Sequence, residues 1–254
     1  MSWRLPSSFG ASMRFLWTEK SHAFGASPRT SAVRRMHLIA HRGWSAGGDE
    51  NSLAAFARAA RDEAVTGVEF DVSRAADSGA VVVAHDPPLY TENALTLDAA
   101  LSFLARTDLE LFVELKEQGL ASSVIEKLVS NKLADRSVVF AFAAEARSFP
   151  WEDARPVRLG VIVMCPWNLH RIVRLYAPDV LLLGWDAHSW TRIAFRAWWS
   201  FFSLERLARR HQVPVVVGVA QRMKDIDWLA PQHLYGAVAD INLIRGDRFR
   251  AEQR

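Results

Sequence analysis

Eight ionisable side chains in the first half of the chain sit just after runs of β-forming apolar residues. Leu38-Ile39-Ala40 leads into His41-Arg42-Gly43, and Gly67-Val68 leads into Glu69-Phe70-Asp71-Val72. Val81-Val82-Val83-Ala84 leads into His85-Asp86, and Leu111-Phe112-Val113 into Glu114-Leu115-Lys116. One carboxylate at a strand end means nothing. Two histidines, four carboxylates, an arginine and a lysine placed this way suggest an active site on the rim of a barrel. Alternation puts Glu69 and Asp71 on one face of their strand. With Glu114 on the neighbouring strand they form an oxygen-rich site suited to Mg2+ or Ca2+. The bland alternative for Glu69 and Asp71 is a salt-bridged edge strand. Both flank Phe70 on a strand expected to be buried, where unpaired carboxylates are costly. Glu114 and Lys116 share a face and can pair with each other.

These residues need strands to hold them. Leu38–Ala40, Gly67–Val72, Leu109–Leu115, Val138–Phe142, Leu159–Met164, Val180–Leu183, Val215–Val219 and Gly236–Ala239 read as strands with helical patterns between most of them. Leu53, Phe56, Ala57, Ala60 and Ala64 recur at helical spacing behind the capping-type residues Asp49, Asn51 and Ser52. Thr96 opens a further helix, with Asp98 in its first turn, and Leu120–Leu133 is another. The link from Val72 to Val81 is too short for a helical crossover, so a β-hairpin turning near Asp77 and Ser78 is expected. That turn pairs Asp71 roughly with Ala84 and gathers Glu69, Asp71 and His85 at the end away from it. Eight βα units imply an α/β fold, a TIM (β/α)8 barrel with a β-hairpin inserted after the second strand. A doubly wound sheet is the runner-up, but no G-x-G-x-x-G follows any strand.

The 254 residues, half of them apolar, suit one large domain over 36–254. The single cysteine, Cys165, excludes an internal disulfide, reads as a small core residue and fits a cytoplasmic location. No apolar run approaches the roughly 20 residues of a membrane span. Six of the basic residues lie in positions 1–35 beside one acid, Glu19, so residues 36–254 carry −2 out of a total of +3. By charge the body is not a nucleic-acid binder. Residues 1–35 read as a disordered basic tail; their composition also resembles a transit peptide, and Met36 offers an alternative start.

The motifs His41-Arg42-Gly43, Glu50-Asn51-Ser52, Glu69-Phe70-Asp71-Val72, His85-Asp86 and Glu114-Leu115-Lys116 resemble those of the glycerophosphodiester phosphodiesterases, in the order and close to the spacing of that family. The family is a branch of the phosphatidylinositol-phospholipase-C-like barrels. The resemblance is strong over residues 37–116 and elsewhere rests on strand rhythm and on Gly236…Asp240. It implies metal-dependent cleavage of a small-molecule phosphodiester, such as a glycerophosphodiester, to an alcohol and a phosphomonoester such as glycerol 3-phosphate. By that resemblance Glu69, Asp71 and Glu114 hold the divalent cation. His41 and His85 serve as general base and general acid, and Arg42 and Lys116 contact phosphate oxygens. Departures are Asp49 where the family has proline, a short segment after His85-Asp86, and no tryptophan after the strand Val215–Val219.

Two other functions stay open: a phospholipase-D-like lyase that makes a cyclic phosphate from a lysolipid, and a barrel that binds phosphate esters without turnover. Trp185 to Phe202 crowds aromatics into one βα connection. The run reads as an apolar wall for a lipid-like leaving group, as a patch touching a membrane, or as a helix packed on the barrel. Arg192 and Arg196 within it would suit anionic headgroups or solvent. Asp98, Glu117 and Asp240 are weaker site candidates, and His170, His188, His211 and His233 lack motif context.

Overall fold

Inward and outward positions alternate along eight parallel strands that close on themselves. The computed structural model describes residues 36–151, 155–186 and 188–252. The segment 1–35, expected to be a basic tail, lies outside the described residues. The barrel strands are β1 (His37–Ala40), β2 (Gly67–Arg74), β5 (Glu110–Leu115), β6 (Ser137–Phe142), β7 (Arg158–Val163), β8 (Val180–Gly184), β9 (Val215–Ala220) and β10 (Gly236–Ala239). Each pairs in parallel with the next, and β10 returns to β1. The ring closes where Ile39 and Ala40 of β1 pair with Gly67 and Val68 of β2. This is the TIM barrel expected from the strand count.

The two remaining strands form the insertion. β3 (Val81–Val83) runs antiparallel to β2, and β4 (Leu95–Thr96) runs antiparallel to β3. Val72 faces Val83, and Ala84 N donates to Asp71 O at 3.1 Å. The hairpin register read from the turn at Asp77 is therefore the register found.

Around the barrel lie α1 (Leu53–Arg61), α2 (Leu97–Leu104), α3 (Ala121–Ser130), α4 (Leu169–Tyr176), α5 (Ser189–Phe202), α6 (Leu204–His211), α7 (Met223–Leu229) and α8 (Ile241–Glu252). Ser52 and Thr96 cap α1 and α2 by accepting from Ala55 N and Ala99 N, which satisfies one orphan donor in each first turn. Asp98 is a helix-start charge, ion-paired with Lys127 at 2.5 Å. Between β6 and β7 a 3-10 turn, Glu145–Ser148, stands where a helix would be. Between β8 and β9 there are two helices, α5 and α6.

The period-2 alternation separates two apolar cores. Ile39, Phe112, Val138, Phe140, Val180, Leu182, Val216 and Val238 fill the barrel interior. The alternate residues, among them Phe70, Val72, Leu111, Val113 and Leu115, pack outward under the helices. Below the inner plug a polar cluster closes the N-terminal end of the strands. Arg158 and Tyr235 both donate to Glu110, and His37 stacks on Tyr235 at 4.8 Å. The inner plug is thus the floor on which anything at the C-terminal end must rest. Replacing Phe112, fully buried in that plug, with Ala should lower unfolding free energy by about 3–5 kcal/mol. Urea denaturation measures it, and a loss under about 1 kcal/mol would mean that the interior is loosely filled.

Candidate functional site

The inward row of the barrel changes from apolar to charged as it climbs. On β2 the inward residues are Gly67, Glu69 and Asp71; on β5 they are Phe112 and Glu114. Asp71 lies beside Glu114 in the parallel register. The same parity places His41 one step past β1 and Asp240 one step past β10. Oxygens of Glu69, Asp71 and Glu114 lie within 4.8 Å of one another. The three carboxylates expected to converge do so.

The turn after β1 is built for this cluster. Arg42 and Gly43 both adopt left-handed backbone, with φ of 50° and 78°. A Cβ on Gly43 would lie 2.8 Å from Ala55 Cβ, so the position needs glycine for its φ and for close packing against α1. The turn aims Arg42 N at Glu69 Oε2, to which it donates at 2.9 Å. The Arg42 guanidinium reaches back to Glu50 at 2.8 Å, and its Nε lies 2.9 Å from Asp71 Oδ2 without the angle of a hydrogen bond. Asn51, also left-handed at φ 56°, donates from Nδ2 to Asp71 Oδ2 at 2.9 Å and accepts from Asp71 N. Lys116 Nζ sits between Asp71 Oδ1 at 2.8 Å and Glu114 Oε1 at 2.6 Å.

His41 is held from behind. Its Nδ1 lies 2.7 Å from Asp240 Oδ1, and Asp240 Oδ2 accepts from Gln221 at 3.0 Å. Its Nε2 is 3.9 Å from Glu69 Oε2. A carboxylate on Nδ1 favours the tautomer with the proton there and leaves Nε2 as the basic nitrogen. His85 follows the Asp71–Ala84 pairing directly. It is half-exposed, with Nδ1 3.0 Å from Asp86.

Burial and charge pull these groups apart. Burial, Asp71 and Glu114 push the Glu69 carboxyl up to about 8. Burial acts on Asp71 the same way, but Lys116, Arg42 and Asn51 outweigh it and hold the carboxyl below its ordinary value. Burial also raises Glu114, against the opposing pull of Lys116. At His41 burial favours the neutral ring, yet the bond to Asp240 and the charge of Glu69 carry its pKa above the usual imidazole value.

The donor set fits a divalent metal. Glu69 Oε1 is buried without a hydrogen-bond partner. Glu50, Glu69, Asp71, Glu114 and Asp240 outnumber Arg42, Lys116 and a protonated His41. An all-carboxylate set with an orphaned oxygen and excess negative charge suits a hard cation such as Mg2+ or Ca2+.

Two residues of this network carry no site role in the sequence: Asn51 stands there as a capping-type residue and within the Glu50-Asn51-Ser52 motif, and Asp240 as a weaker candidate at the end of Gly236…Asp240, although Asp240 continues the inward parity of β10. Glu117 proves to be a backbone anchor, accepting from Arg74 N at 2.6 Å. Cys165 is half-buried rather than a core residue, at the start of a short 3-10 turn. The aromatic run divides. Phe195 and Trp199 are buried packing, while Trp190, Trp198, Phe201 and Phe202 are exposed. Arg192 is mostly buried and Arg196 partly exposed, and both face the buried Asp225, at 3.9 and 3.8 Å.

Residues 41–155 match the Glycerophosphoryl diester phosphodiesterase family. No curated protein matches the chain. Among solved structures, a glycerophosphodiester phosphodiesterase from Parabacteroides distasonis is similar at 18% identity and TM-score 0.63, covering 87% of this chain and 98% of its own. A putative glycerophosphodiester phosphodiesterase from Galdieria sulphuraria is similar at 12% identity and TM-score 0.65, covering 86% and 99%. A phosphodiesterase from Oleispira antarctica, in complex with the product sn-glycerol-3-phosphate, is similar at 18% identity and TM-score 0.60, covering 86% and 97%. At these identities the structures attest the fold.

Asp240 gives a direct test of the His41 geometry. Since its hydrogen bond and charge favour the imidazolium, Asp240→Asn should move the His41 titration to lower pH. The imidazole nitrogen shifts report it, and an unmoved titration would mean that Asp240 does not hold the ring.

Proposed function

We propose that this chain, whose residues 41–155 match the Glycerophosphoryl diester phosphodiesterase family, is a phosphoric diester hydrolase of that family and carries out a metal-dependent hydrolysis with His41 and His85 as the proton carriers. The observation that carries this reading is the convergence of Glu69, Asp71 and Glu114 beside a histidine whose Nδ1 is engaged by Asp240. The substrate is a small glycerophosphodiester-like molecule, and the products are an alcohol and a phosphomonoester, with glycerol 3-phosphate as the expected case.

A phosphodiester resists attack because it is an anion, so the site must offset its charge as the phosphorus gains a fifth oxygen. Glu69, Asp71 and Glu114 would hold a divalent cation, which supplies charge neutralisation at the phosphate oxygens. Arg42 and Lys116 contribute two further positive charges and orient the phosphate. His41 Nε2 takes the proton of the attacking hydroxyl, with Asp240 stabilising the imidazolium that forms. Its raised pKa makes the neutral ring a stronger base. His85 gives a proton to the departing alcohol oxygen as the P–O bond breaks. The attacking hydroxyl is that of water, which gives one proton to His41 and keeps the other as the O–H of the phosphomonoester; His41 then releases its proton to solvent and His85 takes one up, which restores both rings.

Turnover of a glycerophosphodiester should vanish with chelator and return on adding Mg2+ or Ca2+. His41→Ala and His85→Ala should each lower it by at least about 10²-fold, with the melting temperature retained because both residues lie above the core. Phosphorus NMR of the product separates hydrolysis from ring closure. A cyclic phosphate as end product would replace the hydrolase reading with the lyase one. Full activity in chelator would remove the metal from it.

A further inference from the structure

Charge and exposed aromatic surface are concentrated in one stretch of the barrel. Residues 36–254 carry −2 in all, yet 164–212 hold seven arginines against three acids, leaving −6 for the rest. The same stretch carries the exposed aromatic cluster. Trp167 follows β7 and meets Trp198 of α5 edge-on at 6.5 Å; Trp198 packs on Phe202 at 4.6 Å, and Phe202 on Phe201 at 6.0 Å. Trp167 is 71% exposed, Phe201 86%, and Trp190 and Ile193, one turn apart on α5, 66% and 65%. Contiguous exposed aromatics on this scale mark an interaction surface.

The exposure is not slack packing. The opposite side of α5 is anchored: Phe195 and Trp199 are buried, Trp185 stacks edge-on against Phe195 at 5.1 Å, and Arg196 lies over the Trp228 ring at 5.3 Å while facing Asp225. A well-held helix thus presents its second apolar face to the outside. Trp185 directly follows β8, Trp167 lies in the short 3-10 turn Pro166–Asn168 after β7, and Asp225 follows β9, so the cluster stands at the C-terminal end of the strands. That is the end which carries Glu69, Asp71 and Glu114, but on the other side of the ring.

We propose that this face docks on an anionic phospholipid surface, with the indole and phenyl rings entering the headgroup boundary and arginines around them meeting lipid phosphates. The argument is charge complementarity. Arg171 and Arg174 on α4, the helix after Trp167, and Arg206 on α6, the helix after Phe202, are exposed and make no ion pair among the described residues. Tryptophan and phenylalanine rimmed by arginine are what an interfacial helix presents to such a surface. A second copy of the chain fits less well, since a two-fold contact would set these arginines against their own counterparts. The inference goes beyond the phosphodiesterase reading and does not depend on it, because its readout is binding rather than turnover.

The test is sedimentation of the full chain with vesicles of equal parts phosphatidylglycerol and phosphatidylcholine, against phosphatidylcholine alone. Residues 1–35 are themselves basic, so each variant is compared with the parent in the full-length chain. The parent should partition onto the anionic vesicles, and Trp190→Ala with Phe201→Ala should weaken that at least ~10-fold. Melting temperature and hydrolysis of a water-soluble diester should stay unchanged. Arg171→Gln, Arg174→Gln and Arg206→Gln together should weaken binding and flatten its salt dependence. Lipids brominated in the acyl chain should quench less fluorescence in Trp190→Phe than in the parent. Equal partitioning of parent and Trp190→Ala/Phe201→Ala protein would overturn the proposal and assign any binding to other basic segments. A parent dimer that this double variant converts to monomer, with no vesicle binding, would overturn it in favour of a second copy.

Discussion

Carboxylates inside a barrel must be neutralised, and most of the architecture at the C-terminal end follows from that need. Glu69 and Asp71 are nearly inaccessible on β2. An ionised group in such a place costs several kcal/mol unless it is paired and hydrogen-bonded. Asp71 meets the requirement more nearly: Asn51 donates to its Oδ2, and Lys116 and Arg42 lie within ion-pair distance, although Oδ1 makes no hydrogen bond. Glu69 meets it only in part, since one oxygen accepts from Arg42 N and the other has no partner. The difference appears as opposite pKa shifts on two carboxylates of one strand face. An under-compensated buried carboxylate beside two others is what a cation site looks like before the cation's charge is counted.

The same need explains the backbone. Left-handed conformations at Arg42 and Asn51 are disfavoured for residues with a Cβ, at a cost on the order of 1–3 kcal/mol each. Both are held by what they reach. Arg42 donates its amide to Glu69, Asn51 donates its amide to Arg42 O, and the Asn51 side chain clasps Asp71. Gly43, packed against Ala55, lets the chain turn sharply enough to make these contacts. Local strain is thus exchanged for electrostatic compensation that no straighter path provides.

Barrel closure divides the labour between the two ends. At the N-terminal end Glu110 Oε1 accepts from both Arg158 and Tyr235, while its Oε2 has no hydrogen-bond partner and lies 3.9 Å from His37 Nδ1. Above the apolar plug the charges are left partly unpaired, and His41 bridges Asp240 on one side and approaches Glu69 on the other. Across the ring, β7 and β8 end in connections that expose aromatic rings, anchored through Phe195, Trp199 and the buried Asp225 that follows β9. Reactive groups and apolar surface therefore occupy opposite arcs of one rim.

Local periodicity was enough to read a large part of this molecule. Alternation identified the strands, placed Glu69 and Asp71 on one face and set the hairpin so that Asp71 meets Ala84; capping chemistry marked Ser52 and Thr96. These are short-range properties, set by the two-residue repeat of a strand and by orphan donors in a first helical turn. The partner of His41 could not be read that way. Asp240 lies 199 residues away, and only closing β10 onto β1 brings the two together. Asn51 looked like a cap because its neighbour is one; the left-handed backbone that turns it inward arises from packing against Asp71. The aromatic run offered no means of telling buried rings from exposed ones, because both recur along one helix and the choice depends on where Asp225 and Trp185 stand. Which residues share a strand face follows from two-residue alternation along the chain. Which faces meet, and which charges remain unpaired when they do, was decided by closure of the barrel.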